Sequence, residues 1–292
     1  MCDQDSLDEM MEYELKAGGL SRREFGGALA GAGLMALLPS VADAMAVTGS
    51  DVDIKTPDGT ADAYFAHPTH GTHSGVLMWP DIFGLRPAFK QMATRLATSG
   101  YAVLVVNPFY RKQRAPTSAP HPDFNDPATR KELFALMSSL TPETMDTDAK
   151  AFIPWIERQR PVSKTRKMAT TGYCMGGPFT FHTAAAFPDR VGAGCTFHGA
   201  SLVTDKPSSP HLLIPRIKAQ YLIAIAASDD KQQPEAKTVL REAFAKAHLH
   251  AEIEVYPGTM HGWCAIDSRV YNHAEAERAW SRQLVLLERA LG

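Results

Sequence analysis

The stretch Gly172-Tyr173-Cys174-Met175-Gly176-Gly177 decides the fold of this chain. It follows the apolar, strand-like residues 168–171 and precedes a helix-like segment that begins at Pro178. A cysteine between glycines at a strand-to-helix junction predicts a tight turn that raises the thiol above the edge of a sheet. The helix dipole would favour a thiolate at Cys174, and the Met175 N–H would face a developing oxyanion. We therefore predict a cysteine nucleophile; the alternative is a buried structural cysteine beside a glycine-rich turn.

Around this turn the chain alternates strand-like and helix-like segments. Several strand candidates are continuous apolar runs, as expected for strands buried on both faces of a sheet. The alternation predicts an α/β fold in one domain, residues 46–292, with a mostly parallel central sheet and helices on both faces. The predicted strands span residues 51–55, 61–67, 75–79, 102–106, 167–171, 193–197, 220–226 and 252–256. The predicted helices span residues 87–99, 142–159, 178–186, 235–247 and 274–290.

The connection over residues 107–141 is longer than usual and rich in proline, aspartate and histidine. Connections of this length over a sheet more often serve function than structure. We expect it to form a loop or cap above the site.

An acid and a histidine follow the cysteine in the chain order of an α/β-hydrolase: nucleophile, acid, base. His261 lies in a turn-rich loop after the last predicted strand. Asp229 and Asp230 directly follow the strand at residues 220–226, where a carboxylate can orient an imidazole. We prefer Asp229 because it is nearer the strand end. Asp230 stays open, and ordinary turn chemistry also explains the pair.

These residue types suit the attack of a thiol on an ester carbonyl. A thiol with a pKa of about 8.5 is mostly protonated at neutral pH, so an imidazole must take its proton. The tetrahedral oxyanion then needs two N–H donors. We expect Met175 to supply one, and Ile82, in the loop Pro80-Asp81-Ile82-Phe83-Gly84, to supply the other.

Four motifs together resemble the dienelactone hydrolases (carboxymethylenebutenolidases): GYCMGG, PDIFG, the acid after YLIAIAAS, and the late HGW. The resemblance covers roughly residues 50–290. It implies a single α/β-hydrolase domain with no metal or organic cofactor. It also implies that Cys174, Asp229 and His261 hydrolyse an enol-lactone or a related small ester. In the family, an acidic residue in the early loop contacts and activates the resting thiol, and Asp81 matches that position.

The family members that act on dienelactone hold its carboxylate with two arginines, and this chain departs from both. Arg111 lies one position from the first match, where Lys112 stands in the expected register. At the second match the residue is Ala265, and Arg269 lies further along. The resemblance therefore implies the fold and the nucleophile, while dienelactone as the substrate does not follow.

Three further side chains are candidates for the substrate pocket. Phe83 and Trp263 are expected to wall it, although either suits a core. His198 follows the strand at residues 193–197 and is expected at the pocket mouth or as a hydrogen-bonded structural histidine.

Other histidines and cysteines favour neither a metal site nor a disulfide scaffold. His67, His70 and His73 are spaced by three in a loop, but no second ligand cluster accompanies them, so we expect solvated side chains. The four cysteines form no CxxC pair. Whether Cys195 and Cys264 pair stays open.

Composition excludes several classes of partner. Thirty basic and 32 acidic side chains nearly cancel, so no strong field attracts nucleic acid. No apolar run reaches the roughly 20 residues that span a bilayer, so we expect no stable membrane insertion. The expected partner is a small-molecule ester or lactone.

The first 45 residues have the layout of an export signal. A polar stretch leads to Arg22-Arg23, a weakly apolar run over residues 26–38 follows, and Pro39 ends it before Ala42-Asp43-Ala44. This order resembles a twin-arginine signal, which predicts recognition by the twin-arginine export machinery, a mature N-terminus near Met45 and a periplasmic location. The alternative is an N-terminal arm on a cytoplasmic protein.

Three functions remain after these arguments. The first is hydrolysis of a lactone or small carboxylic ester by cysteine, histidine and aspartate. The second is a thiol redox or ligand-binding role without turnover, which has no need of the separate His261. The third is a carboxylesterase of broad specificity.

Overall fold

Apolar segments of the chain pair into one eight-stranded sheet. The computed structural model describes residues 45–119, 122, 124 and 126–292. The order of the strands across the sheet is β1-β2-β4-β3-β5-β6-β7-β8. The strands are β1 (Val47–Thr56), β2 (Gly59–Pro68), β3 (Ser74–Trp79), β4 (Tyr101–Val106), β5 (Met168–Tyr173), β6 (Val191–Phe197), β7 (Gln220–Ala226) and β8 (Ala251–Tyr256).

The strands from β3 to β8 are parallel, and a hairpin of β1 and β2 adds two strands at one side. All six residues of β3 and of β5 are buried, which explains their uninterrupted apolar sequences. The predicted mostly parallel sheet is confirmed. Because β3 to β8 run in one direction, their carboxyl ends and the loops that follow lie on one side, here called the carboxyl edge.

Helices cover both faces of this sheet. Two of them pack on one face through apolar side chains such as Phe89 and Trp280, and three pack on the other through side chains such as Phe152, Phe179 and Phe244. The five helices expected from the sequence are present, with ends shifted by at most two residues. The helices are α1 (Pro87–Thr98), α2 (Pro127–Met137), α3 (Pro142–Arg158), α4 (Gly176–Ala186), α5 (Ala227–Gln232), α6 (Ala236–Lys246) and α7 (His273–Leu291).

The connection over residues 107–141 contains a helix, α2, that we did not predict. Asp126 caps it by accepting hydrogen bonds from the N–H groups of Ala128, at 3.3 Å, and Thr129, at 2.9 Å. Pro127 occupies the first helical position, where its missing N–H costs nothing. The dipeptide Asp126-Pro127 was thus a start signal that the polar composition of the segment obscured.

The predicted export signal lies outside the described residues, apart from Met45. Within the described part of the chain, no helix is both long enough and apolar enough to cross a membrane.

Candidate active site

Cys174 lies in a sharp turn between β5 and α4. Its φ is +51°, in the left-handed region, which costs a non-glycine residue about 1–3 kcal/mol. A Cβ at Gly172 would lie 2.1 Å from the Gly176 carbonyl oxygen, and a Cβ at Gly176 would lie 2.5 Å from the Trp79 carbonyl oxygen. Backbone atoms cannot rotate away as side chains can. The turn therefore requires glycine at both positions, as the sequence pattern indicates.

The turn packs against the loop that follows β3. A Cβ at Gly176 would also lie 2.7 Å from the carbonyl oxygen of Pro80, so the two backbone segments are in contact. Met175 belongs to the first segment and Ile82 to the second. Neither of their N–H groups donates to an acceptor within the described residues. Two uncommitted donors from adjoining loops are what an oxyanion requires.

His261 links the cysteine to an acid. Its Nδ1 lies 3.0 Å from Oδ1 and 2.9 Å from Oδ2 of Asp229, and its ring also hydrogen-bonds the Cys174 side chain. Asp230 points elsewhere, because its Oδ1 accepts a hydrogen bond from Lys237 Nζ at 2.5 Å. The structure thus brings Cys174, His261 and Asp229 together at the carboxyl edge and places Asp230 outside the group.

Two hydroxyl groups that we did not predict hold the acid and base loops together. The N–H of His261 donates to Ser228 Oγ at 3.0 Å, and the N–H of Ser228 donates to the Thr259 carbonyl at 3.2 Å. Thr259 Oγ1 accepts from the Ala227 N–H at 3.1 Å and donates to the Tyr256 carbonyl at 2.7 Å. These bonds orient the loops, and the only local sign of them is that Ser228 directly precedes Asp229.

The surroundings of His261 favour its charged form. Burial works to lower the pKa of the ring, but the Asp229 carboxylate, then Cys174, and the hydrogen bonds to both raise it. The net result is a pKa of His261 well above its usual range. A base of raised pKa takes a proton from a neighbouring thiol more readily.

Comparison with known proteins identifies the family of the chain. Residues 61–291 match the model of the dienelactone hydrolase family. The chain belongs to that family. Carboxymethylenebutenolidase 1 of Cupriavidus pinatubonensis is 27% identical over 229 residues, which cover 78% of this chain and 92% of that protein. The chain is therefore a hydrolase of the dienelactone hydrolase family, and its predicted family is confirmed.

Solved structures of the family share the fold. A dienelactone hydrolase homologue from Klebsiella pneumoniae superposes with a TM-score of 0.71 at 24% identity and covers 84% of this chain and 99% of its own. A dienelactone hydrolase-like promiscuous phosphotriesterase from metagenomic libraries gives a TM-score of 0.68 at 20% identity, with 85% and 100% covered. At these identities the two structures establish the α/β fold alone.

Asp81 matches the acidic position of the family's early loop, and here its carboxylate is bonded by an arginine. Both carboxylate oxygens of Asp81 accept hydrogen bonds from Arg86, at 2.5 and 2.8 Å, and Oδ1 also accepts from the Phe83 N–H at 3.0 Å. Arg86 bonds Asp267 as well, in the loop after His261. Sequence reasoning missed Arg86, because its second partner is 181 residues away.

The basic residues that match or approach the family's substrate arginines lie in three different surroundings. Arg111 donates to the Asp148 carboxylate at 2.6 and 3.0 Å and to Asp58 at 2.8 Å. Lys112 is exposed and lines a cleft of about 610 Å³ between the 112–119 loop and α2. Arg269 is exposed in the loop after β8. None of the three is buried beside Cys174.

Of the two aromatic candidates for the pocket wall, only Phe83 lies where it could meet a substrate. Its ring contacts Phe124 edge to face, with the ring centroids 6.1 Å apart, and Phe124 contacts Phe134 of α2 at 6.0 Å. These contacts connect the loop after β3 to α2. Trp263 is fully buried and packs on Tyr256 at 4.7 Å, so it belongs to the core.

His198 meets neither of its two expectations. It is fully buried rather than at a pocket mouth, and neither ring nitrogen has a hydrogen-bond partner within the described residues. Its φ is +40°, and its ring lies edge to face with that of His261, 5.1 Å between centroids. Burial and then the charge of His261 lower the pKa of His198 well below its usual range. A neutral imidazole therefore packs beside the base.

The remaining histidines and cysteines have structural surroundings. The expectation of a solvated side chain is wrong for His73, which is buried and hydrogen-bonds the Gly100 carbonyl at 3.0 Å and the His70 carbonyl at 2.8 Å. His67 Nδ1 lies 2.7 Å from the Pro68 carbonyl. Among the described residues no cluster of three or more metal-binding side chains occurs. Cys195 and Cys264 are both free and buried, so the two do not form a disulfide.

Proposed function

We propose that this protein hydrolyses a lactone or small carboxylic ester with Cys174 as nucleophile, His261 as base and Asp229 as the acid that orients it. The observation that carries the proposal is the hydrogen-bonded chain from Asp229 through His261 to Cys174. A cysteine nucleophile needs a base within hydrogen-bond reach, and that base needs a partner to hold its orientation.

The first half of the reaction forms a thioester. Nδ1 of His261 is held by Asp229, so the other ring nitrogen takes the proton of the Cys174 thiol. The thiolate attacks the carbonyl carbon, and the carbonyl π electrons move onto oxygen, where the N–H groups of Ile82 and Met175 hold the oxyanion. Collapse of the intermediate restores the carbonyl and breaks the bond to the alkoxy oxygen. The leaving oxygen takes the proton from His261.

The second half releases the acid. His261 takes a proton from water, and the resulting hydroxide attacks the thioester carbonyl. Collapse of the second oxyanion breaks the C–S bond, and Cys174 leaves as a thiolate that regains its proton from His261. One ester and one water are consumed, and one acid and one alcohol are formed.

A role without turnover fits the site less well. A thiol redox or ligand-binding function has no need of an imidazole held by a carboxylate, and in this structure several hydrogen bonds hold that pair in place. A broad carboxylesterase would use the same chemistry as a lactonase and differs only in the acyl groups that it accepts.

The decisive experiment is steady-state hydrolysis by the full chain of a p-nitrophenyl ester and a dienelactone. We expect Cys174→Ala and His261→Ala each to lower kcat by about 10³-fold or more. Cys195→Ala is the matched control, because it removes another buried free thiol away from His261. Turnover retained by Cys174→Ala, or no turnover of either compound by the wild type, would sink the proposal.

We also propose that the protein is exported through its twin-arginine signal, on the order of motifs in residues 1–45. Expression in a bacterium with an intact pathway should yield a periplasmic protein that starts near Met45. Replacing Arg22 and Arg23 by lysine should leave it in the cytoplasm. A periplasmic protein that retains residues 1–44 would contradict the proposal.

A further inference from the structure

The guanidinium of Arg86 is saturated by two carboxylates. It donates to Asp81 at 2.5 and 2.8 Å, to Asp267 at 2.7 and 2.9 Å, and to the Gly84 carbonyl at 3.3 Å. These five hydrogen bonds match the five N–H donors of a guanidinium. The Arg86 side chain is 10% exposed, and burial is more than offset by the two carboxylates, so its pKa is raised. No donor of Arg86 is left for a substrate.

This cluster lies between the two loops that would form the site. Asp81 directly precedes Ile82, the proposed oxyanion donor, and Asp267 lies in the loop that carries His261. One positive and two negative charges leave the cluster with a net charge of −1. The Asp267 side chain is 31% exposed, so its charge is felt from solvent as well.

A second arginine at the carboxyl edge is also paired with two carboxylates. Arg111, just after β4, contacts Asp148 at 2.6 Å and Asp58 at 2.7 Å, and Asp148 is fully buried. This cluster also carries one positive and two negative charges. Two guanidiniums at this edge are therefore overcompensated by carboxylates of the protein itself.

The two other basic residues compared with the family's substrate arginines, Lys112 and Arg269, are exposed. Lys112 shares its cleft with Glu132, so an opposite charge faces the same space. Arg269 lies two residues beyond Asp267 and is exposed, where water screens its charge. Neither is a buried cation that would offset the loss of water around a substrate carboxylate.

We propose that the active site selects esters whose acyl group is uncharged and discriminates against esters that carry a carboxylate. This inference rests on the proposed hydrolase function and adds the substrate class. An anionic acyl group would approach two clusters of like net charge and would have to displace a protein carboxylate from a saturated guanidinium. An uncharged acyl group meets neither cost, and the Phe83 ring offers it an apolar contact.

The test uses two substrates that differ only at the far end of the acyl chain, a methyl ester in p-nitrophenyl methyl adipate and a carboxylate in p-nitrophenyl hydrogen adipate, with release of p-nitrophenol as the readout. We expect the wild-type protein to favour the uncharged ester by about tenfold or more in kcat/KM, with the ratio falling as salt screens the repulsion. In Asp267→Asn the Arg86 cluster becomes neutral, and the ratio should fall several-fold. Because the ratio compares two substrates on one protein, a general loss of activity does not change it.

Glu277→Gln is the matched control. Glu277 holds the similarly buried Arg95 at 2.6 and 2.7 Å, nine residues from Arg86 along the chain, or about 13 Å by helical rise. This variant removes the same charge and should leave the ratio unchanged. Equal rates on both esters, or equal shifts in the two variants, would overturn the charge selection while leaving the hydrolase function intact. Failure of the wild type to cleave either ester would overturn both.

Discussion

Cys174 and Cys264 have almost the same exposure, 4% and 6%, yet they lie in different surroundings on opposite faces of the sheet. Cys174 has a left-handed φ, stands directly before a helix and is hydrogen-bonded to His261. Cys264 lies among apolar side chains, and burial alone raises the pKa of its thiol. Burial by itself therefore does not determine the reactivity of a thiol. A neighbouring base and a helix N-terminus do.

The difference extends to the backbone. Three of the four non-glycine residues with positive φ among those described, Cys174, His198 and Ser201, follow β5 or β6 at the carboxyl edge. His198 also leaves two buried ring nitrogens without partners. The middle of the sheet around Cys195 shows no such positive φ. Backbone conformations in the left-handed region are thus concentrated beside the proposed nucleophile.

The largest expected effect separates two adjacent acids. Asp229→Asn should lower kcat by about 10²–10⁴-fold, because His261 loses the carboxylate that fixes its ring and favours its charged form. Asp230→Asn should stay within about threefold, because Asp230 pairs with Lys237. Steady-state kinetics of both variants checks this. Equal losses would mean that the two acids share the role.

The thiol comparison itself predicts selective alkylation. Iodoacetamide should modify Cys174 at least about 10²-fold faster than Cys264, since their exposures are similar and only Cys174 has a base. Mass spectrometry of peptides from the native protein measures both rates. In His261→Ala the advantage of Cys174 should largely disappear. A fast reaction at Cys264 would show that access, and not the base, sets reactivity.

Two arginines, one at the N-cap of α1 and one within the helix, give a smaller effect. Arg86 ties the loop before the oxyanion donor to the loop of His261, whereas Arg95 ties α1 to α7. Arg86→Lys should lower kcat about tenfold, because one ammonium cannot keep both two-pronged contacts. Arg95→Lys should lower thermal stability about as much as Arg86→Lys does, but it should leave kcat near the wild-type value. Equal kcat in the two variants would exclude a positioning role for Arg86.

The smallest expected effect concerns His198. Its folded-state pKa lies below that of an exposed histidine, so below about pH 6.5 the unfolded chain binds a proton that the folded chain does not. The wild type therefore loses stability as pH falls. In that range the free energy of unfolding of His198→Phe should rise relative to that of the wild type, by up to about 1.4 kcal/mol per pH unit.

Urea denaturation at several pH values measures the difference between the two proteins. His250→Phe, which makes the same replacement at an exposed histidine, is the control for the substitution itself. A gain for His198→Phe that does not depend on pH would mean that folded His198 takes up protons normally.

Much of the fold and the turn that carries Cys174 could be predicted because the signals are local. Several uninterrupted apolar runs indicate strands buried on both faces, and all eight strands were predicted within a few residues of their ends. The glycines around Cys174 report a turn that tolerates no Cβ, and that requirement is local too. The helix α2 was missed because its capping residue lies in a polar segment that also suits a loop.

Tertiary structure decided what depends on residues far apart in the chain. By itself the sequence determined an α/β fold, a cysteine raised on a glycine turn, and the order of cysteine, acid and histidine. It could not choose between Asp229 and Asp230, which only the position of His261 separates. Nor could it join Arg86 to Asp267, 181 residues away, or bury His198 beside the base. Local backbone geometry is determined by neighbouring residues, whereas distant charges can pair only once the sheet has brought its loops together.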